Sequence, residues 1–355
     1  YEKTLQRSPE RQGLFAFRVD PRRWCSPRTA SMRAFRDDHQ LVSGVPQAFV
    51  HLDCGVMDTE TRAGFVAIIG LPNAGKSSLL NEMLGSKLSI VTSAAQTTRE
   101  RVVGIDSRDG VQIIFMDTPG MVDPAYLLHE AMLGIVQKTV QDADVVVLLL
   151  DGTRAFPDFS PEIAATISSL GRRLLIAVNK TDVASTLQVH QLELQVLERF
   201  GNPPLRISAA TGEGVEELRE AIGTRLPESP FLYPDDDLST QSVRFFVSEL
   251  IRETVFEKYK EEIPYSTAVR IEEFREGSDP LFIRATILVE RPSQKGILIG
   301  TKGQAIRDLG AVARQKIEEF VEQRVYLDLW VKIVPKWRKD PVELRRLGFS
   351  IPESD

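Results

Sequence analysis

Gly64-Phe-Val-Ala-Ile-Ile69 runs directly into Gly70-Leu71-Pro72-Asn73-Ala74-Gly75-Lys76-Ser77, and Ser78-Leu-Leu-Asn-Glu-Met-Leu84 follows. The first run has strand length and the last has helical spacing. Strand, G-x-x-x-x-G-K-S and helix in that order are the context of a phosphate-binding loop. Glycines let backbone N–H groups turn inward around phosphate oxygens. The helix N-terminus adds the positive end of its dipole. Residues Gly70 to Ser78 are therefore the candidate phosphate cradle. Lys76 offers a cation to the β- and γ-phosphates, and the Ser77 hydroxyl can ligate Mg²⁺.

Working outward, Val111-Gln-Ile-Ile-Phe-Met116 alternates like a strand and ends in Asp117-Thr118-Pro119-Gly120, with Asp117 placed 41 residues after Lys76. An acid at a strand's carboxyl end can hold Mg²⁺ through water, and the Gly120 N–H can reach a γ-phosphate. Leu174-Leu-Ile-Ala-Val178 reads as a buried parallel strand, ending in Asn179-Lys180-Thr181-Asp182. A carboxylate that accepts two hydrogen bonds suits the guanine N1–H and 2-amino group, so Asp182 selects guanine over adenine. Leu205-Arg-Ile-Ser208-Ala209-Ala210 reads as a later strand whose end can offer backbone N–H to the guanine O6. Between the first two motifs lies Ala94-Ala-Gln-Thr97-Thr98-Arg99, a switch-loop candidate. A Thr there can close over Mg²⁺ and the γ-phosphate; Thr98 is preferred to Thr97. Met121 occupies the place where Ras-type enzymes carry a water-orienting Gln. Met cannot orient water, so hydrolysis needs another group, a bound cation or a partner.

This motif order resembles that of the translation-factor-like GTPases. The alternation of strand and helix patterns implies a doubly wound sheet with nucleotide at the strand carboxyl ends. GTP/GDP and Mg²⁺ are the expected ligands. Lys76, Thr98 and Gly120 are the candidate catalytic groups, and Ser77, Thr98 and Asp117 the candidate metal set.

The 355 residues suit two or three domains. With 42% hydrophobic and 26% charged residues the composition is globular, which excludes wholesale disorder. The longest apolar run within an apparent strand, Val145 to Leu150, falls far short of the roughly 20 residues of a membrane span. A net charge of −6 argues against a general nucleic-acid coat, so any such site must be a local patch. Two cysteines, Cys25 and Cys54, give no disulfide framework, and the four histidines have no metal-ligand spacing. From Tyr1 to Arg36 there are nine Lys/Arg and three Asp/Glu, and from Asp37 to Glu60 five acids and no Lys/Arg. Neither stretch has a sustained period. Residues 1–56 read as a disordered extension outside the fold: an organelle transit remnant, or an upstream extension read through a start at Met57.

The nucleotide domain is expected over 57–226. Residues 227–240, with prolines and Asp235-Asp-Asp237, read as an extended linker. A second domain is expected over 241–349. Ser242 to Tyr259 has helical spacing, and Ser266 to Phe274 and Leu281 to Val289 read as strands. Ile297-Leu-Ile299 precedes Gly300-Thr301-Lys302-Gly303, a helix is expected at about 311–321, and a strand at about 325–334. Two glycines bracketing a tight turn let single-stranded backbone pass close by, as in the KH loop that clamps four nucleotides. Within Arg291 to Lys316, six bases (Arg291, Lys295, Lys302, Arg307, Arg314, Lys316) face only Asp308. The bases of a bound RNA are expected on the apolar surface near Ile297 and Ile299. A basic face of this kind also suits anionic lipid, which needs charge but not Gly300 and Gly303.

Taken together, the chain closely resembles the Era family of GTPases over about 57–349. The resemblance rests on Gly70–Ser77, Ala95-Gln-Thr-Thr-Arg99, Asp117–Gly120 and Asn179–Asp182. It also rests on Arg244-Phe-Phe-Val-Ser-Glu249, Glu262-Ile-Pro-Tyr265, Ser293-Gln-Lys295 and Ile299-Gly-Thr-Lys-Gly303. It implies an α/β P-loop GTPase domain followed by an α+β type II KH domain. It further implies binding to the 3′ end of small-subunit ribosomal RNA, help in 30S assembly, slow intrinsic hydrolysis and, in many members, peripheral association with the inner membrane. The RNA-binding set it implies is Arg291, Lys295, Ile299, Gly300, Thr301, Lys302, Gly303 and Arg307. Related GTPases with Asn at the position of Asn73 hold K⁺ there, which extends the expected cofactors to K⁺. The expected partners are the ribosomal RNA and the 30S precursor, with no DNA and a monomeric protein. The expected location is cytoplasmic or at the inner membrane, or an organelle stroma or matrix if residues 1–56 are a transit remnant.

Overall fold

The computed structural model describes residues 61–91, 97–121 and 124–351. The N-terminal extension and Ala94–Gln96 of the switch-loop candidate lie outside the described residues.

The first half alternates strand and helix: β1 (Arg62–Ile69), α1 (Lys76–Leu84), β2 (Val102–Arg108), β3 (Val111–Asp117), α2 (Leu127–Asp142), β4 (Val145–Asp151), α3 (Pro161–Ser169), β5 (Leu174–Asn179), α4 (Thr186–Phe200), β6 (Leu205–Arg206) and α5 (Val215–Gly223). They build one six-stranded sheet in the order β2-β3-β1-β4-β5-β6. The pairs from β3 to β6 are parallel, and β2 is antiparallel to β3. The parallel strands are covered on both faces, which is why Val145 to Leu150 is apolar at every position and buried throughout. One layer packs Leu79 and Leu80 of α1 and Leu218 and Ile222 of α5 on the sheet. The other packs Val136 and Val140 of α2 and Leu192 and Val196 of α4. β1 has β3 on one side and β4 on the other, so chain order reverses at its carboxyl end, where a crevice opens. The strand expected at 205–210 shortens to two residues, because Ser208 and Ala209 turn to meet Asp182 and Asn179.

The second half comprises α6 (Val243–Lys258), the single turn α7 (Ile263–Ser266), β7 (Ala268–Arg275), β8 (Leu281–Val289), α8 (Pro292–Ile299), α9 (Gln304–Val321), β9 (Val325–Ile333) and α10 (Pro341–Arg346). Its sheet has the order β7-β8-β9. β7 and β8 are antiparallel and β8 and β9 parallel, so two helices and their tight turn form the crossover. Val247, Ile251 and Val255 of α6 share one core with Ile283, Ala285 and Ile287 of β8 and Leu309, Ala313 and Ile317 of α9. α9 begins at Gln304, seven residues before the expected start, because the helix emerges directly from the Gly303 turn.

Residues 227–240 are extended, as expected, but they are not loose. Gln112 holds the Leu232 and Tyr233 backbone, Ile105 N–H donates to the Leu238 carbonyl at 2.9 Å, and Ser239 Oγ donates to the Val103 carbonyl. The segment runs from the start of β1, past Gln112 of β3, to the edge of β2. A further cluster joins the halves: Leu128, Ala131 and Met132 of α2 meet Ala268, Leu288, Leu344, Phe349 and fully buried Trp337. Among the described residues no helix is long and apolar enough to cross a membrane.

Candidate nucleotide site and nucleic-acid cleft

The loop from Gly70 to Gly75 connects β1 to α1 at the crevice. Gly75 has φ of 97°, and a Cβ there would lie 2.2 Å from Asn179 Nδ2. Glycine is therefore required for two reasons, conformation and contact. Asn179 Nδ2 donates to the Ala74 carbonyl at 2.8 Å, and its Oδ1 accepts from Ala209 N–H at 2.9 Å. The Asn of the N-K-x-D motif is thus a strut that ties the phosphate loop to the Ser208–Ala210 segment. Lys76 is buried, and its Nζ donates to the carbonyls of Gly70 and Leu71, each at 3.1 Å. Burial pulls its pKa down to about 8, with the Asp117 charge opposing the shift.

Ser77, Thr98 and Asp117 converge. Ser77 Oγ donates to Asp117 Oδ2 at 2.7 Å and lies 2.9 Å from Thr98 Oγ1, which is 3.4 Å from the same carboxylate oxygen. Asp117 Oδ1 is buried without a hydrogen-bond partner. Burial pushes the Asp117 carboxyl above its ordinary range, against the pull of Lys76 and the Ser77, Ser89 and Thr98 hydroxyls. A buried carboxylate with a free oxygen beside two hydroxyls fits a hard, oxygen-liganded cation such as Mg²⁺. The Thr97 hydroxyl has no hydrogen bond to this group, and the Thr97 carbonyl accepts from Arg252 of α6.

Lys76, Ser77 and Thr98 line a cleft of about 350 Å³ whose walls also include Pro72, Asn73, Ser78, Thr97, Gly120 and Lys180, while Asp117 itself is fully buried. Gly120 lies flat against the loop, since a Cβ there would come 2.7 Å from Pro72. Thr118 points inward, its hydroxyl bonded to the Ile68 carbonyl at 2.8 Å, and Pro119 is buried beside it. Met121 N–H donates to the Gly70 carbonyl, and its side chain is buried in the sheet–helix core. It therefore packs, and reaches no water. Around Asp182, Ser208 Oγ donates to Asp182 Oδ1 at 2.7 Å, and Thr181 bonds the Ile207 carbonyl through both N–H and hydroxyl. Lys180 Nζ pairs with Asp151 at 2.7 Å. Asp182→Asn is expected to weaken GTP binding about ten- to a hundredfold, the worth of a charged hydrogen bond. Xanthine nucleotide should gain correspondingly, and tight ATP binding by the parent protein in a competition assay would overturn the guanine assignment.

In the second half, Gly300 (φ 69°), Lys302 (φ 52°) and Gly303 (φ 76°) form a left-handed turn between α8 and α9. A Cβ on Gly300 would lie 2.6 Å from the Ala305 Cβ, whereas one on Gly303 meets nothing within 4 Å. Gly303, Thr301 and Lys302 face open space. Arg307 Nη2 braces the turn through the Lys302 carbonyl at 3.0 Å. Beside it runs a cleft of about 380 Å³ between α9 and β9, with Ile306, Arg307, Gly310, Arg314, Leu327 and Leu329 among its walls. Its apolar floor thus differs from the expected one. Ile299 packs toward the core, Ile297 is half-exposed on α8, and β9 supplies the floor. The alternation of Val325, Leu327, Leu329 and Val331 carried that signal in the sequence. Arg291 is exposed just before α8, and Lys295 projects from α8 into a separate cleft bordered by β8 and β9.

Two arginines connect the sites. Arg99, next to Thr98, donates to the carbonyls of Thr267 (2.5 Å), Pro264 (3.2 Å) and Tyr265 (3.0 Å), and its guanidinium lies over Trp337. Arg252 reaches the Thr97 carbonyl from α6, held by Glu249.

The family described as 50S ribosome-binding GTPase matches residues 65–180, and the KH domain family matches 262–338. GTPase Era of Halothermothrix orenii is 40% identical over 290 residues, covering 81% of this chain and 99% of that protein. GTPase Era of Thermotoga maritima is 41% identical over 294 residues, covering 81% and 98%. Two solved Era structures superpose with TM-scores of 0.78 at 36% identity, covering 82% of this chain and all of theirs. One is an Aquifex aeolicus variant bound to GDP·AlF4⁻, the other a complex with MgGDPNP and nucleotides 1506–1542 of 16S ribosomal RNA. This chain, with its phosphate loop, its KH turn and relatives matched over nearly their whole length, belongs to the Era family of GTPases.

Proposed function

We propose that the protein is a GTP-driven switch that binds the 3′ end of small-subunit ribosomal RNA in the cleft beside Gly300–Gly303 and assists small-subunit assembly. The observation that carries the reading is the double attachment of the segment 97–99. The Thr98 hydroxyl belongs to the Ser77–Asp117 group, while the Thr97 carbonyl and the Arg99 side chain are bonded to the RNA-binding half. Whatever pulls Thr98 also pulls on α6 and α7. The Era relative seen with 16S ribosomal RNA nucleotides supports the choice of RNA.

In this reading Gly70 to Ser78 bind the β- and γ-phosphates, with Lys76 neutralising charge as it develops. Ser77 and Asp117 would hold Mg²⁺ with Thr98 beside them, and Gly120 would offer its N–H to the γ-phosphate. Mg²⁺ supplies charge neutralisation across the phosphates. Asp182 reads guanine, fixed by Ser208. Since Met121 is buried, attacking water is oriented by backbone, by a cation beside Asn73, or by the ribosomal partner. If K⁺ serves there, hydrolysis should be slower in Na⁺ than in K⁺, and Asn73→Ala should erase the difference. Equal rates in the two salts would remove K⁺ from the mechanism.

The switch itself is tested by RNA affinity in two nucleotide states. The parent should bind RNA differently with a GTP analogue and with GDP, by about five- to 150-fold for a typical coupling. Arg99→Ala should shrink that ratio toward one while leaving GTP affinity within a fewfold. A parent whose RNA affinity ignores the nucleotide would refute the switch.

A further inference from the structure

We propose that the open face of the three-stranded sheet is a second binding surface for single-stranded RNA, on which Tyr326 and Trp330 stack bases. The inference rests on the RNA reading above and extends it across strand β9.

β9 is the edge of its sheet, and its residues alternate between two faces. Leu327, Leu329 and Val331 turn toward the helices. Tyr326 and Trp330 turn away, 57% and 60% exposed. Four residues apart on one strand, they lie about 13 Å from each other. Tyr326 is already in a stacked arrangement with Phe282, the ring centroids 5.6 Å apart and the planes 10° from parallel. The guanidinium groups of Arg275 and Arg284 lie over Phe282 at 4.6 and 5.5 Å. The result is a fixed aromatic platform ringed by cations.

Charge decides the occupant. The carboxylates on this face are each paired: Glu272 with Arg270 at 2.6 Å, Glu273 with Arg275 at 2.6 Å, and Asp328 with Arg284 at 2.8 Å. Asp328 is also bonded to Trp330, Lys332 is near enough to Glu272 to favour its carboxylate form without a close ion pair, and Lys295 makes no ion pair among the described residues. Both lysines line the cleft of about 660 Å³ beside Trp330, whose walls also include Arg284 and Thr286 and contain no carboxylate. Exposed rings flanked by Lys295 and Lys332 match the chemistry of single-stranded nucleic acid, where bases stack on aromatics and a basic groove tracks phosphates. The surface is also continuous with the clamp. Tyr326 shares the α9–β9 cleft with Arg307, and Trp330 shares its own cleft with Lys295 of α8. A strand held at Gly300–Gly303 therefore meets this face by crossing the free edge of β9.

The test uses the full chain and two RNAs cut from the 3′-end segment, one of about four nucleotides, the length a KH loop clamps, and one about three times longer. Trp330→Ala should weaken the longer RNA about five- to a hundredfold, the range for losing one base–aromatic stack, and leave the shorter one unchanged, whereas Tyr326→Ala, at the rim of the α9–β9 cleft, should weaken the longer RNA more than the shorter. Trp330→Phe should restore most of the loss. The longer RNA should quench emission that Trp330→Phe lacks, while buried Trp337 contributes none of the change. Equal losses on both lengths, or no loss on the longer one, would overturn the proposal. So would a sedimentation run in which Trp330→Ala dissolves a dimer without altering RNA affinity. Converting Thr301 and Lys302 to Asp separates the two readings. If that variant binds both RNAs like the parent, the clamp has failed and this surface with it. If it loses both while the ring variants lose neither, only the stacking surface has failed.

Discussion

Lys76→Ala is expected to abolish GTP turnover, with a loss of at least about a hundred- to a thousandfold, the scale for removing one preorganised donor from developing charge. The reason lies in its surroundings. The ammonium is buried and spans the Gly70 and Leu71 carbonyls at 3.1 Å, where water cannot replace it. Single-turnover hydrolysis, with melting temperature as the folding control, measures the loss. Met121→Ala should change turnover far less, since Met121 only packs, although emptying its core site should lower stability by about 1–3 kcal/mol. A Lys76→Ala protein that folds and hydrolyses GTP at the parent rate would refute the phosphate-loop role.

The same residue predicts a pH effect whose sign can be worked out. Burial lowers the folded pKa of Lys76 from 10.5 to about 8, with Asp117 opposing. Between those values the unfolded chain carries a proton that the folded chain lacks, so this group's contribution to stability improves as pH rises through the window. Nucleotide binding acts in the opposite sense. Phosphate beside the amine favours the ammonium, so above about pH 8 binding must take up a proton and affinity must fall as pH rises. Calorimetry in two buffers of different ionisation enthalpy reads the uptake directly. Lys76→Ala should remove it, and a parent that takes up none in that window would contradict the assignment.

What could be read from the sequence follows a physical division. The phosphate loop, Asp117–Gly120 and Asn179–Asp182 were legible because each needs fixed residue types at a strand's end, and strands announce themselves locally. The turn at Gly300–Gly303 was legible for a similar reason: only glycine adopts its outer conformations cheaply. The strut role of Asn179 is not legible in the sequence because it depends on Ala74, 105 residues away, which no local pattern reveals. Arg99 and Arg252 look like ordinary charges in the sequence. Their partners, 168 and 155 residues distant, appear only when the halves dock. Trp337 likewise gave no periodic signal, because it fills a gap between α2 and β8 and is not part of a repeating face. The antiparallel edge of β2 depends on a two-residue hairpin, Asp109-Gly110, with both residues at positive φ, a signal that is local and present in the sequence.

Converting Thr301 and Lys302 to Asp is expected to cut RNA affinity by about a hundredfold or more, because like charges at an interface cost several kcal/mol. GTP affinity should stay within a fewfold, since neither side chain lines the nucleotide cleft. The two glycines refine the test, because they are not equivalent. Gly300 is held by Ala305, so a side chain there would disturb the protein itself. Gly303 opens on space, so a side chain added there would obstruct only what approaches from outside. Its φ of 76° adds strain for Val, and that strain must be separated from obstruction. Asn tolerates the left-handed conformation better than other residues. Gly303→Asn should therefore spare the melting temperature while still weakening RNA binding, whereas Gly303→Val should reduce both. On anionic vesicles the ordering differs. A lipid-binding face would lose affinity on the double Asp change and ignore either Gly303 variant. All comparisons need one salt concentration, because both interactions are screened. If Gly303→Asn folds and binds RNA as tightly as the parent, backbone does not pass this turn, and the cleft between α9 and β9 is not where the RNA lies.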